Sequence, residues 1–249
     1  KYGASILCGK SLLRSGAGLL TFLSDEKTKE FIYKSLPEAM TSDIITKDNF
    51  SISSEIKKYK VIGIGPGLGM SKLVIKNFKQ IINEVNYPIV VDADGLNILS
   101  KDKDLFKKLP KESILTPHIG EFKRFAGNYE NSNEKIMLQR RISKKYGLNI
   151  VLKGPYTTMT DSKGDLYINT SGNSGLATAG SGDVLTGIIT GLLAQNYTPF
   201  NAMIFGVFLH GLSADIAVKK SHVNSLIASD IIESLSSAFK AIEKVITPN

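Results

Sequence analysis

The sequence predicts a three-layer α/β/α fold with a mainly parallel central sheet and a C-terminal helical stretch. Three observations lead there. Short β-branched runs at 57–65 (KKYKVIGIG), 88–92 (PIVVD), 113–116 (SILT) and 149–153 (NIVLK) each end in a turn. Their hydrophobicity is continuous instead of alternating, the habit of strands buried on both faces of a parallel sheet. Helical stretches separate them, and from Gly182 onward the chain reads as mostly helical. With 249 residues, 42% hydrophobic and 22% charged, residues 1–249 fit one large domain.

Taken in order, a helix over 4–15 ends at Gly16 and Gly18 and hands over to a strand at 18–24. The clearest intervening helices are 72–85 and 134–146. After Lys153 the rhythm changes. Segments 157–160 and 165–169, joined by Asp161-Ser-Lys-Gly, form a hairpin at one edge of the sheet. Helices follow at 183–195, 199–219 and 228–245, the middle one apolar enough to be buried. The chain opens at Lys1 and enters a helix almost at once, so a first strand is expected to be missing ahead of it.

Composition narrows the function classes. The net charge of +8 comes mostly from lysines spread over helix faces, such as Lys101, Lys107 and Lys144. Such a field draws in polyanionic ligands, but nucleic-acid binding needs a basic stripe joined to a known motif, and none is found. No apolar run approaches the roughly 20 residues of a membrane span, so neither nucleic acid nor membrane is an expected partner and a cytoplasmic location is expected. Cys8 is the single cysteine, which excludes an intrachain disulfide or a cysteine zinc site and suits a small buried hydrophobe.

Residues 169–191 read NTSGNSGLATAGSGDVLTGIITG, a glycine-rich loop entering a helix. Gly180 and Gly182 let the backbone curl so that the N–H groups of Ala179, Gly180, Ser181 and Gly182 form a phosphate nest, aided by the helix dipole. Asp183 then stands where a base can take the proton of an attacking hydroxyl. The competing reading is an ordinary helix cap. Other motifs fail: the glycine that GxxxxGK[ST] needs falls on Ala4, and the turn Gly65-Pro-Gly-Leu-Gly69 breaks the GxGxxG spacing. Neither GxSxG nor HExxH occurs.

What remains is four strand-end segments converging on one cleft: 65–69, Asp92-Ala-Asp-Gly-Leu-Asn97, Thr116-Pro-His-Ile-Gly-Glu121 and the nest. Asp92 and Asp94 are equally well read as helix caps, His118 as a structural imidazole, Glu121 as a first-turn acid and His210 as core packing. Together with GASILCGKSLLRSGAGL, VLKG and LHGLSAD, these segments resemble the ribokinase-like superfamily. Within it they resemble the ADP- or ATP-dependent NAD(P)H-hydrate dehydratases, over nearly the whole chain.

The resemblance implies a repair reaction in which hydrated NADH or NADPH, as the S epimer, is phosphorylated at its ring hydroxyl and then loses phosphate. It implies Asp183 as the base, and Ala4, Gly67, His118 and Asp183 as contacts to the hydrated dinucleotide. It implies Lys153, Gly154, Pro155, Tyr156, Thr157 and Gly182 as contacts to the adenine nucleotide. Glu121 falls where related kinases organise Mg2+ through its waters, and Asp94 and Asn97 are further candidates. Mg2+ with ADP or ATP as phosphoryl donor, a homotetramer, and a partner epimerase fused ahead of this domain in a longer bifunctional chain belong to the same expectation. A small-molecule kinase of the superfamily, acting on a hydroxyethylthiazole- or pyridoxine-type alcohol, is the alternative.

Overall fold

Ile89, Val91, Leu115, Ile150 and Leu152 enter one hydrophobic core, whereas their chain neighbours Val90, Ile114 and Val151 enter another. Period-two alternation within continuously apolar strands therefore builds a sheet covered on both faces. The computed structural model describes residues 1–43 and 52–246. Within them the chain begins with helix α1 (Tyr2–Arg14), strand β1 (Thr21–Ser24), α2 (Glu26–Ser35), β2 (Met40–Asp43) and α3 (Ile52–Ile56). It continues through β3 (Gly63–Ile64), α4 (Lys72–Glu84), β4 (Val90–Val91), α5 (Ala93–Lys101), α6 (Leu105–Lys108) and β5 (Ile114–Leu115). Then come α7 (Ile119–Ala126), α8 (Ser132–Tyr146), β6 (Asn149–Leu152) and the hairpin β7 (Thr158–Thr160) and β8 (Leu166–Ile168). Three helices close the fold, α9 (Ser181–Ala194), α10 (Pro199–Ala217) and α11 (Ala228–Ile246).

The main sheet has the order β3-β4-β5-β6-β7-β8, parallel through β6 and antiparallel at the hairpin. Because β3 to β6 are neighbours in sequence as well as in space, their crossover helices α4 to α8 all pack on one face, in the core with Phe78, Leu96, Phe106, Phe122 and Ile142. The opposite face is left to α9, α10 and α11. A separate parallel pair, β1 with β2, lies outside this sheet.

The expected elements are present, and the differences have local causes. The strand expected at 57–65 shrinks to Gly63–Ile64, because Glu55 at the end of α3 holds Lys58 Nζ (2.6 Å) and Tyr59 Oη (2.7 Å). Helices α2, α3, α5, α6 and α7 add to those expected, and α2 is announced by Asp25, whose side chain caps Thr28 N–H at 2.8 Å. Contrary to expectation, α10 is long and apolar enough to span a membrane, and it is the one such helix among the described residues; 56% of that window is buried in the protein.

α1 crosses α9 at backbone contact. A Cβ at Gly187 would meet Ser11 Oγ and the Cys8 carbonyl, and one at Gly191 would meet the Leu12 carbonyl at 2.6 Å. Two glycines one helical turn apart make this groove. Gly187→Ala is expected to cost about 1–3 kcal/mol through overpacking, read as a lowered midpoint in urea, and an unchanged midpoint would count against this crossing.

Candidate active site

Parallel strands end on the same side, so β3, β4, β5 and β6 deliver 65–69, Asp92, 116–118 and Lys153 to one edge of the sheet. The edge is knitted further by a bridge between His118 and Lys153 and by Lys153 N–H donating to the Pro117 carbonyl at 2.9 Å. α9 comes from the opposite layer and aims its N-terminus here. Gly180 caps it at φ +88 with no side-chain cap, and a Cβ at Gly180 would meet Leu7 Cδ1 at 2.5 Å. Only glycine fits that turn.

Asp183 is the third residue of α9 and not its cap. Its pKa is pushed up to about 6, first by burial, then by the Asp92 charge; Lys153 opposes this, Glu121 adds to it and Lys1 opposes it. The structure thus brings Asp183, Asp92, Lys153 and Glu121 into one electrostatic group. Gly182 belongs with them, since its Cβ position lies 3.1 Å from Lys153 Nζ.

Asp92 does not cap α5 with its side chain. Its carboxylate is 2% exposed, receives Lys153 Nζ at 2.9 Å on one oxygen and Thr186 Oγ1 at 2.7 Å on the other. One buried acid therefore ties β4, β6 and α9 together. The next residue, Ala93, sits at φ +46, a left-handed conformation rare for a side chain with Cβ. Asp94 accepts from Gly69 N–H at 2.8 Å and so fixes the glycine turn, with Asn97 Nδ2 at 3.4 Å. Asn97 also receives Arg124 at 2.6 Å.

His118 does cap its helix. Nδ1 accepts from the N–H groups of Gly120 (2.9 Å) and Glu121 (3.2 Å), while Glu121 Oε2 accepts His118 N–H at 2.8 Å, a reciprocal capping box. With Nδ1 acting as acceptor, the neutral ring carries its proton on Nε2, which lies 3.4 Å from Glu121 Oε1 on a half-exposed side chain. The cap thus uses Nδ1, and Nε2 lies on the other side of the ring, toward Glu121 Oε1.

Ala4 and Gly67 also come together. A Cβ at Gly67, φ +68, would strike the Lys1 carbonyl and pass 3.5 Å from Ala4 Cβ, and the Lys1 amine donates to the Gly67 carbonyl at 3.1 Å. Gly154, Pro155 and Tyr156 lie on the exposed loop after β6, Tyr156 being 75% exposed, and Thr157 is half-buried. In the nest, Ser181 is the exception: its N–H points to the Thr178 carbonyl at 3.4 Å, and its hydroxyl turns inward to His210 Nε2 at 3.2 Å. Cys8 is half-buried, its thiol pushed well above the usual range by burial and by the charges of Asp183 and Asp92, and so stays protonated. The sequence reading missed Thr186 and the Asp92–Lys153 pair. No spacing rule links residues 61 apart, although a lysine closing one parallel strand and an acid closing another was a usable hint.

A cleft of about 950 Å³ lies beside it, between β1 and β3, and meets this constellation at 65–69. Among the described residues no group of three or more His, Cys, Asp or Glu is placed to hold a metal ion. The acids are already committed, Asp92 to Lys153 and Thr186, Asp94 to Gly69, Glu121 to the cap. Such a donor set fits Mg2+ only as an ion carried on nucleotide phosphates and met through water, the usual manner of Mg2+.

A family described as NAD(P)H-hydrate dehydratase matches residues 1–237. The bifunctional NAD(P)H-hydrate repair enzyme Nnr of Moorella thermoacetica is 32% identical over 97% of this chain and 48% of its own length, so the chain spans about half of such relatives. The ADP-dependent (S)-NAD(P)H-hydrate dehydratase of Neisseria meningitidis is 35% identical over 92% of the chain and 78% of its own length. The ADP/ATP-dependent NAD(P)H-hydrate dehydratase of Bacillus subtilis, co-crystallized with ATP/Mg2+, superposes with a TM-score of 0.82 at 29% identity, covering 96% of this chain and 85% of that one. The three layers are the ribokinase-like fold that the resemblance implies. By the matched span and by these relatives, the chain belongs to the NAD(P)H-hydrate dehydratase family.

Proposed function

We propose that this chain restores NADH or NADPH from the S epimer of its hydrate, using ADP or ATP and releasing phosphate with AMP or ADP. The observation that carries the reading is Asp183, an acid raised to about 6 on the first turn of a helix left uncapped by any side chain. A base with that pKa is ionised at neutral pH yet basic enough to take a proton. Asp183 accepts the proton of the ring hydroxyl as its oxygen attacks the terminal phosphoryl group, and the nucleotide leaves as AMP or ADP. The phosphate ester is then expelled by the lone pair of the ring nitrogen, and proton loss from the neighbouring carbon restores the dihydronicotinamide.

The N–H groups at Ala179, Gly180 and Gly182 support the transferring phosphoryl group, each well-placed donor contributing about 3 kcal/mol. Lys153, beside Gly182, adds a positive charge at the same point. Ala4, Gly67 and the Nε2–H of His118 line the dinucleotide side, and Gly154, Pro155, Tyr156 and Thr157 the nucleotide side. Mg2+ bound to the phosphates would neutralise their charge, and Glu121 would meet its waters.

Hydrated NADH incubated with the protein, Mg2+ and ADP or ATP is expected to regain the near-ultraviolet absorbance of reduced nicotinamide. Absence of recovery with both donors would overturn the reading. A stable phosphorylated alcohol with other substrates would favour the small-molecule kinase. The expected first strand has support of its own. The cleft between β1 and β3 runs between the edges of two parallel sheets, and the Lys1 amine sits at the carboxyl end of β3. A parallel strand ending there would join the two sheets. A chain extended ahead of Lys1 is expected to melt at higher temperature, and equal melting would count against the added strand.

A further inference from the structure

The block LHGLSAD, residues 209–215, takes no part in the chemistry above, and it lies on α10 behind the nest. Phe208, Gly211 and Asp215 stand three and four residues apart, on one side of the helix. There the Phe208 carbonyl accepts Ser171 Oγ at 3.0 Å, and a Cβ at Gly211 would collide with Ser171. Asp215 accepts Gly172 N–H at 2.8 Å and Asn173 Nδ2 at 2.9 Å. The loop leading to the nest is thus laid along α10. It ends at Ser181, whose carbonyl oxygen lies 3.0 Å from His210 Nε2.

A carbonyl only accepts, so the tautomer that satisfies this shorter contact carries its proton on Nε2 and donates to the Ser181 carbonyl, with Ser181 Oγ, 3.2 Å from the same nitrogen, as a second acceptor. The imidazole is 8% exposed, and burial lowers its pKa to about 4, which keeps it neutral. The Ser181 carbonyl and the Gly182 N–H belong to one planar trans peptide and point in opposite directions. Holding the oxygen from behind therefore aims the N–H forward, beside Lys153. A hydrogen bond on the carbonyl also polarises the peptide and strengthens its N–H as a donor.

We propose that His210 is a positioning residue for phosphoryl binding, fixing and polarising the Ser181–Gly182 peptide through the Ser181 carbonyl. The inference rests on reading the nest as the phosphate site. Its test compares ADP with AMP, by calorimetry in Mg2+, for the parent and for His210→Leu, His210→Gln and His210→Asn. His210→Leu is expected to lower ADP affinity by about tenfold, the scale of one hydrogen bond, with AMP affinity unchanged. Gln reaches far enough to donate to the same carbonyl and is expected to keep the ADP preference, whereas Asn, equally polar and one methylene shorter, loses it. Should the Leu variant fail to fold, the Gln–Asn pair decides. Equal losses for ADP and AMP in step with a lowered melting temperature, or no loss at all, would overturn the proposal. A parent that binds ADP over AMP but leaves hydrated NADH unchanged would count against the proposed reaction and leave this comparison valid.

Discussion

Asp183→Asn is expected to reduce the turnover of hydrated NADH by roughly 10³-fold, the scale of a lost general base, while ADP affinity stays near the parent value. Asparagine keeps the shape and cannot take the proton. The pH dependence follows from the raised pKa. Burial, then the Asp92 charge, hold Asp183 protonated up to about pH 6, so turnover should rise with pH through about 6 and level above it. A stability consequence has the opposite sign. A carboxyl whose pKa is higher folded than unfolded stabilises the protein below its unfolded pKa, and that contribution is lost as pH rises through about 6. At neutral pH the folded chain therefore holds a charge it would more easily carry unfolded, and Asp183→Asn should melt slightly above the parent. Turnover near the parent's, or a melting temperature that falls, would show that Asp183 is misassigned.

The legible part of this molecule was what local pattern encodes. Continuous apolar runs gave β3 to β6, turn residues gave the hairpin, and the Gly180-Ser-Gly-Asp183 string gave a helix start that really is left open by side chains. What stayed hidden depends on tertiary meeting points. Asp92 and Asp94 read as caps because acids before helices usually are caps. In the fold one is drawn to Lys153 and Thr186 and the other to the Gly69 amide, partners set by strand order. His210 read as core because α10 is apolar nearly throughout. It is in the core, and both of its polar contacts are with Ser181 of the nest. Strand β1 lies inside the strand expected at 18–24, whereas β2 and helix α2 escaped notice for a different reason. They pack into a small separate core around Ile32, Leu36 and Ala39, with too few apolar positions to imprint a period on the sequence.

Asp92→Ala is expected to be the most damaging single change to stability. Lys153 is 21% exposed at its side chain and pairs with an acid that is 2% exposed, so removing the acid strands an ammonium that water reaches poorly. Breaking such a pair from one side costs about 3 kcal/mol, which in a chain of this size lowers the melting temperature by roughly 10 °C. Thr186 fares better, because its hydroxyl has a second acceptor in the Gly182 carbonyl at 3.1 Å. Asp92→Asn separates charge from shape. The amide oxygen can still accept one of the two hydrogen bonds, so the fold should lose less than with alanine. The charge next to Asp183 disappears, and Lys153, relieved of its counter-ion, acts on Asp183 more strongly. Both changes favour the ionised form of Asp183 and lower its pKa. Glu121 and Lys1 still act on Asp183 as before, and Cys8 loses the Asp92 charge but stays protonated through burial, the largest cause of its raised pKa. The acid limb of the pH–rate profile should accordingly move below about pH 6, while turnover at neutral pH falls because a weaker base accepts the proton less readily. A limb that stays in place would mean that burial alone sets the pKa of Asp183, and that Asp92 serves only to hold Lys153 and α9 against the sheet.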